Sequence, residues 1–391
     1  MDKGTARTIR LLSWFNFLQD FRLYAPVAIL YYTRISGSFA SGMSVFAAAQ
    51  LSSAVLELPT GVLSDWIGRK KTLVLGAACS TLSVACYAAA PGLAVLWIGA
   101  ALEGAASALF SGNNNALLFD CLREGGMQDR FHEFLGRLGA WFQMALAASA
   151  LLGGILADRS FRLVMALSVL PQAAALVLSL LVREPRAASG RREGDPVRLF
   201  REAVRRFFGN RRILVVGGAN MVSYAVSESC FQFSGAFIAT LWPVWAIGIS
   251  QVLSNLGAAL SFRLSGRLID RFRELPLLIA SRLYGRVTHI LATAMPSPAS
   301  PVIMASSSLF FGVSTVSAEN LLQKEFSDGE RATMGSIGSM GGAVLMALYA
   351  PLLGLLADAS GPGTAILCSQ LLLLAPIAVL AREAARERKG R

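Results

Sequence analysis

Asp20, Arg22, Glu103, Glu228 and Glu319 are the residues with chemistry to offer, because each interrupts a long apolar stretch. Placing a charge at the centre of a bilayer costs at least about 2.5–3.5 kcal/mol, so such groups turn toward a wet cavity or a partner. Low dielectric disfavours a carboxylate's charge. An acid in a cavity can therefore take up and release a proton as its surroundings change. Tyr24, one turn beyond Asp20, adds a hydroxyl to the same region. Asp20 and Arg22 are two positions apart and do not face each other on a helix, so at least one needs another partner. Glu103, Arg282 and Arg286 are candidates for such pairs.

These groups need apolar helices to hold them. The 391 residues are 54% hydrophobic and only 15% charged, whereas soluble domains run near 25% charged. A bilayer core of ~30 Å takes about 20 residues of helix. Twelve segments qualify by length and punctuation: 9–32, 38–60, 72–90, 93–117, 136–157, 162–182, 212–233, 239–262, 275–294, 302–323, 333–356 and 363–381. Backbone groups in hydrocarbon must bond within their own segment and no barrel-like alternation is present, so the fold class is an all-α polytopic membrane protein. The first segment holds Asp20 and Arg22 in its middle and does not read as a cleaved leader.

The net charge of +12 has a topological explanation. With both termini cytoplasmic, 30 of the 36 basic residues fall in inner segments and three in outer loops, as the positive-inside rule requires. Anionic lipid then accounts for the basic surface without nucleic acid. The bacterial inner membrane is the expected location. Segment 183–211 reads as a linker between an N-terminal half (1–182) and a C-terminal half (212–391). Within it, Val197, Phe200, Val204 and Phe207 recur at helical spacing after Asp195-Pro196, which suggests a short helix on the membrane surface.

A duplication organises the chain. Gly61 to Asp65 and Gly266 to Asp270 repeat G-x-x-x-D at an offset of 205, and Gly154 to Asp158 and Gly354 to Asp358 repeat it at 200. Two such pairs imply two parallel six-helix halves with a site near the midplane between them.

The segment Gly61-Val-Leu-Ser-Asp65-Trp-Ile-Gly68-Arg69-Lys70-Lys71 resembles the loop signature of the major facilitator superfamily, with Trp66 where arginine is common. Glu57-Leu-Pro59-Thr-Gly61 and Arg331-Ala-Thr333 are similar to drug-exporter-like members. The resemblance implies twelve helices, with the first, fourth, seventh and tenth lining a central cavity; each of these carries a carboxylate here. It further implies alternating access by a monomer, a small-molecule substrate, protons as coupling ion, and no cofactor, metal or catalytic residue. Glu57, Gly61, Asp65, Gly68, Arg69, Asp270 and Arg331 form the expected cytoplasmic gate. Asp65 is expected to face the N-terminus of the eleventh span, and Asp270 that of the fifth. Proton-driven efflux of drug-like or amphipathic molecules is the favoured expectation; the alternative is uptake of a sugar, organic acid or metal chelate. Two departures, Ala150 for the exporters' proline and Ala100 for the usual arginine of the fourth span, put the standard coupling scheme in question. No phosphate-binding loop is present, and an enzyme is not expected.

Overall fold

The structure is a computed structural model and describes residues 3–184, 196–326 and 331–389. All regular structure in these residues is helical. The helices are α1 (Lys3–Asp20), α2 (Ala28–Ser36), α3 (Phe39–Ile67), α4 (Arg69–Ala89), α5 (Leu93–Phe110), α6 (Asn113–Glu124), α7 (Phe131–Arg159) and α8 (Phe161–Leu181). After the linker come α9 (Pro196–Gly209), α10 (Arg211–Ile238), α11 (Val244–Phe272), α12 (Glu274–Ala294), α13 (Ser300–Ser306), α14 (Phe311–Gln323), α15 (Arg331–Ser360), α16 (Pro362–Leu372) and α17 (Leu374–Lys389).

Ten segments among the described residues are long and apolar enough to cross a membrane. The first and ninth expected spans fall short for different reasons. The ninth is a continuous helix, α12, whose Arg282 and Arg286 lower its mean hydropathy. The first is not the continuous helix expected over 9–32. It breaks after Asp20, passes through a turn at Ala25–Val27 and resumes at Ala28. Pro26 contributes to the break, since it has no N–H to donate to the preceding turn and sits instead at the start of the short helical turn. Irregular backbone at membrane depth survives only where protein covers it. A Cβ on Gly153 of α7 would lie 1.9 Å from the Leu23 carbonyl oxygen, and one on Gly235 of α10 would lie 2.9 Å from that of Pro26. Bare glycine thus lets two helices close on the break. The tenth span is also divided, by a turn at Ser307–Phe310, and the fourth kinks at Gly112, whose φ is +69°.

Leu82, Ile98, Leu170, Leu256 and Leu348 are among many large apolar side chains left exposed. Exposed apolar side chains in such number suit lipid, not water. The linker helix α9 forms, and part of its apolar edge packs on the bundle. Phe207 is buried in a cluster with Ile213, Phe326, Met334 and Ile337, joined by Val204. Val197 and Phe200 have side chains outside the described residues, and Asp195 lies outside them altogether.

The two ends of the bundle are packed differently. One end carries the arginine-rich turns around Arg69 and Arg271; the far end carries Ser36, Trp245 and Asp358. At the far end, clusters mix early and late helices: Tyr24, Tyr31 and Val164 with Ile238 and Ile247, and Ile29 and Met43 with Phe233, Leu353 and Ala357. At the arginine-rich end each cluster stays within one part of the chain, such as Leu12, Phe15, Leu73 and Leu117, or Val216, Leu278, Leu321 and Leu380. Glycines tell the same story. At the far end a Cβ on Gly248 would lie 2.1 Å from the Ala150 carbonyl oxygen, and one on Gly354 would lie 2.5 Å from Cα of Ala40. At the other end, Gly61, Gly136, Gly139, Gly266, Gly335 and Gly338, on the same four long helices, have nothing within 4 Å. Early and late helices therefore approach closely at the far end, whereas these six glycines leave room around them at the arginine-rich end.

Candidate functional site

The break in the first span delivers Asp20, Arg22 and Tyr24 without the helical spacing that would separate them. Arg22 Nη1 lies 2.5 Å from Glu103 Oε1 on α5. Tyr24 donates its hydroxyl to the same oxygen at 3.3 Å, and Tyr87 of α4 donates to Oε2 at 2.8 Å. Tyr31 donates to the Tyr87 carbonyl at 2.6 Å and so steadies that backbone. Both oxygens of Glu103 are thus engaged, by donors from two separate parts of the chain. The side chains of Arg22 and Glu103 keep 30% and 24% exposure, so the pair borders open space.

The four cavity carboxylates are not gathered into one cluster. Asp20 is half-buried; its carbonyl accepts from the Arg22 N–H at 2.9 Å, and its carboxyl makes no hydrogen bond or ion pair among the described residues. Glu228 accepts from Gln232 Nε2 at 2.8 Å, one turn along α10. Glu319 is exposed on α14 and has no such partner either. Tyr224 of α10 reaches Gln50 of α3 at 3.5 Å, a polar contact between early and late helices. Arg282 and Arg286 were candidates for pairing with these acids and do not do so; their contacts are with neutral side chains of α10 and α16.

The signature loop is held by residues outside its own pattern. Gly68 adopts φ +95°, and a Cβ there would lie 2.9 Å from Glu184 Oε1. Glu184 in turn accepts from the Lys70 N–H at 2.9 Å, capping the start of α4. Arg69 reaches Ser64 Oγ at 3.3 Å and Asp120 Oδ2 at 3.9 Å. Asn113 accepts from Ser64 Oγ at 2.8 Å and donates to the Arg69 carbonyl at 3.1 Å. Asn113 thus acts as a strut between α6 and the loop. Sequence reasoning missed Asp120, Glu184 and Tyr87. Their partners lie far away in the chain, and only the apolar company of Tyr87 could have hinted at burial.

Glu57 accepts from Ser339 Oγ at 3.4 Å, joining α3 to α15. Asp270 is exposed and meets no partner among the described residues, so the contact expected with the start of the fifth span is not made in this state. The side chains of Asp65 and Arg331 lie outside the described residues. Farther along the same turn, Lys324 donates to Glu274 and holds its carboxyl below the usual carboxylate range.

The fourth copy of the repeat shows the helix-end chemistry expected of Asp65, at the opposite end. Asp358 accepts from the N–H groups of Phe39 at 2.7 Å and Ala40 at 2.9 Å, while Ser38 accepts from Ser41. These bonds satisfy three of the four donors that a helix start leaves over, and the carboxylate faces the positive end of the α3 dipole. Its counterpart Asp158 is exposed and makes no such bond. Replacing Asp358 by alanine is expected to remove about 1–2 kcal/mol from the shut far end. That corresponds to a shift of roughly 5–30-fold toward opening, read as faster labelling of a cysteine placed at Ser36. Unchanged labelling would remove Asp358 from the closure.

The sequence pattern of the Major Facilitator Superfamily matches residues 11–347. The chain belongs to this family. Its members are transporters and not enzymes, and the fold agrees. The structure is similar to that of the nucleoside transporter NupG (TM-score 0.79, 14% identity, covering 96% of this chain and 98% of that one). It is likewise similar to a D-xylose-proton symporter (0.71, 14%, 94% and 96%). The fucose:proton symporter FucP of E. coli follows the same plan (0.62, 15%, 97% and 99%). At such identities the likeness establishes the fold alone. No curated protein matches the sequence.

Proposed function

We propose that this chain is a proton-coupled carrier that takes up a small polar organic solute across a bacterial inner membrane, working as a monomer with both termini in the cytoplasm. Residues 1–182 and 212–391 are the two rocking halves of twelve spans. The arginine-rich end faces the cytoplasm, as the distribution of basic residues indicates, and the described state is then open inward. The observation that carries the reading is Asp20. Its carboxyl accepts no hydrogen bond among the described residues, since Arg22, Tyr24 and Tyr87 donate to Glu103 instead. An unclaimed carboxyl at a hinge can exchange a proton with whichever side is open, and losing its charge changes the cost of closing the cavity around it.

The same pairing bears on direction. With Glu103 neutralised by Arg22, the lining is less acidic than the sequence alone implies. Tyrosine, serine, glutamine and asparagine groups remain to hydrogen-bond a polar solute. Solved relatives described as nucleoside, xylose and fucose carriers have the same fold. Extrusion of lipophilic cations is the second reading, favoured by Asp20 and Glu319, two acids that form no ion pair among the described residues.

Proteoliposomes holding an imposed pH gradient discriminate. Uptake of xylose or uridine with the proton gradient supports the first reading, and expulsion of tetraphenylphosphonium against it supports the second. Asp20→Asn is expected to cut gradient-driven accumulation by at least about tenfold, equivalent to 1.4 kcal/mol of lost coupling, while solute exchange at equal pH continues. Full gradient dependence in that variant would dismiss Asp20 as the proton site.

A further inference from the structure

Arg282 and Arg286 stand one turn apart on α12, both half-buried. Arg282 donates to Asn220 Oδ1, and to Ser223 Oγ at 3.2 Å. Arg286 donates to Gln370 Oε1 at 2.7 Å and to Ser227 Oγ at 3.4 Å. Every acceptor is neutral. No carboxylate lies within ion-pair distance of either guanidinium among the described residues. Like charges at i and i+4 repel, and a cation within an apolar bundle is costly unless something negative accompanies it. Serine and amide oxygens supply partial charge but leave the pair with two net positive charges.

The duplication shows that the fold does not require those charges. Arg282 and Arg286 follow Gly76 and Ser80 by 206 residues, and Gln370 follows Gln172 by 198. In the first copy Ser80 donates to Gln172 Oε1 at 2.9 Å and accepts from Gln19 Nε2 at 2.8 Å. Gln19, Ser80 and Gln172 are all buried, forming a neutral, sealed network. The second copy keeps the glutamine, buried as Gln370, replaces its serine partner by Arg286 and adds Arg282. The outcome is half-exposed. One copy is a buried neutral network, and the other carries two positive charges that are buried only in part.

We propose that Arg282 and Arg286, flanked by Asn220, Ser223 and Ser227, bind an oxyanion group, a carboxylate or a phosphate, on the transported solute. The guanidinium fork matches the paired oxygens of either group, and the serine hydroxyls can rotate to donate to a bound anion. This inference rests on the carrier reading and narrows its substrate to an anionic polar solute. Entry of a proton alongside would offset the charge carried in.

The test is thermal unfolding of the purified full chain in detergent at neutral pH. Succinate or inorganic phosphate is titrated against sodium chloride at matched ionic strength. The expected result is a saturable rise in Tm, on the order of a few degrees, with one or both oxyanions. Arg282→Gln and Arg286→Gln should each lose the rise. Without anion these variants should be at least as stable as the parent, because they relieve repulsion. Arg286→Lys keeps the charge but not the fork, and should retain only a weakened response. A parent indifferent to both anions, or glutamine variants that keep the rise, would overturn the site. So would glutamine variants whose unliganded Tm falls, since that would make the arginines structural ties. No transport enters this measurement. A rise without any pH-driven uptake would defeat the carrier reading and leave the site standing; uptake of neutral solutes with no rise would do the reverse.

Discussion

Replacing Glu103 by glutamine is expected to disable the carrier and to destabilise it. The carboxylate is the anionic partner of Arg22, which sits in irregular backbone in the middle of the bundle. Stripping a buried pair of one member costs about 3–5 kcal/mol. Here the two side chains are 30% and 24% exposed, so water recovers part of that, and about 2–3 kcal/mol is the expectation. The tyrosine hydroxyls of Tyr24 and Tyr87 would lose their acceptor charge as well, loosening the turn that presents Asp20. A double replacement, Arg22→Met with Glu103→Met, removes both charges together and should restore the unfolding midpoint. Transport should stay depressed by more than about tenfold in both cases, because 1.4 kcal/mol already suffices for that factor. Recovery of uptake in the double variant would mean that the pair only holds helices together.

Adding one methyl group to Gly248 is expected to have an effect of similar size by a different route. Its Cβ would lie 2.1 Å from the Ala150 carbonyl oxygen, a distance no packed atom tolerates. Backbone on backbone cannot yield as a flexible side chain can, so α7 and α11 must separate there. Overpacking of this kind costs about 1–3 kcal/mol, all of it charged to the state with the far end shut. Gly248→Ala should therefore shift the population outward, raise the labelling rate of Ser36→Cys, and cut transport. Gly335→Ala offers the converse. A Cβ there meets nothing within 4 Å in this state, so the unfolding midpoint should stay or rise slightly. Uptake should nevertheless slow, because α15 must press against its neighbours when the arginine-rich end closes. Wild-type rates in Gly335→Ala would show that this glycine never enters a contact.

How much of this could be read in advance depends on what each residue reports. Apolar length reports the lipid on either side of a helix, which is why most span positions are legible in the sequence. The signature loop and the repeated G-x-x-x-D are local patterns, and the family follows from them. Hydropathy says nothing about partners. Arg22 and Glu103 are 81 positions apart, and no periodicity reveals that they meet. Glu184 looks like the start of a linker until it is seen capping Lys70. Pro26 does not by itself reveal the break within segment 9–32, because the glycines that let α7 and α10 close on it lie far along the chain. Asp65 and Asp358 carry the same motif. Asp358 grips a helix end across the bundle, and nothing in the shared motif says which helix end an aspartate will meet.

The far closure joins two unlike seams. Along α7 and α11 it is a dry zip of glycine against backbone, with Asp158 idle. Along α3 and α15 the glycine contact of Gly354 with Ala40 is joined by a clasp, with one carboxylate holding two N–H groups. A zip yields gradually and in any order, whereas a clasp lets go in a single event. The outer mouth would then swing like a door rather than part like a pair of curtains: the clasp side frees first, and the zipped side serves as the jamb about which it turns.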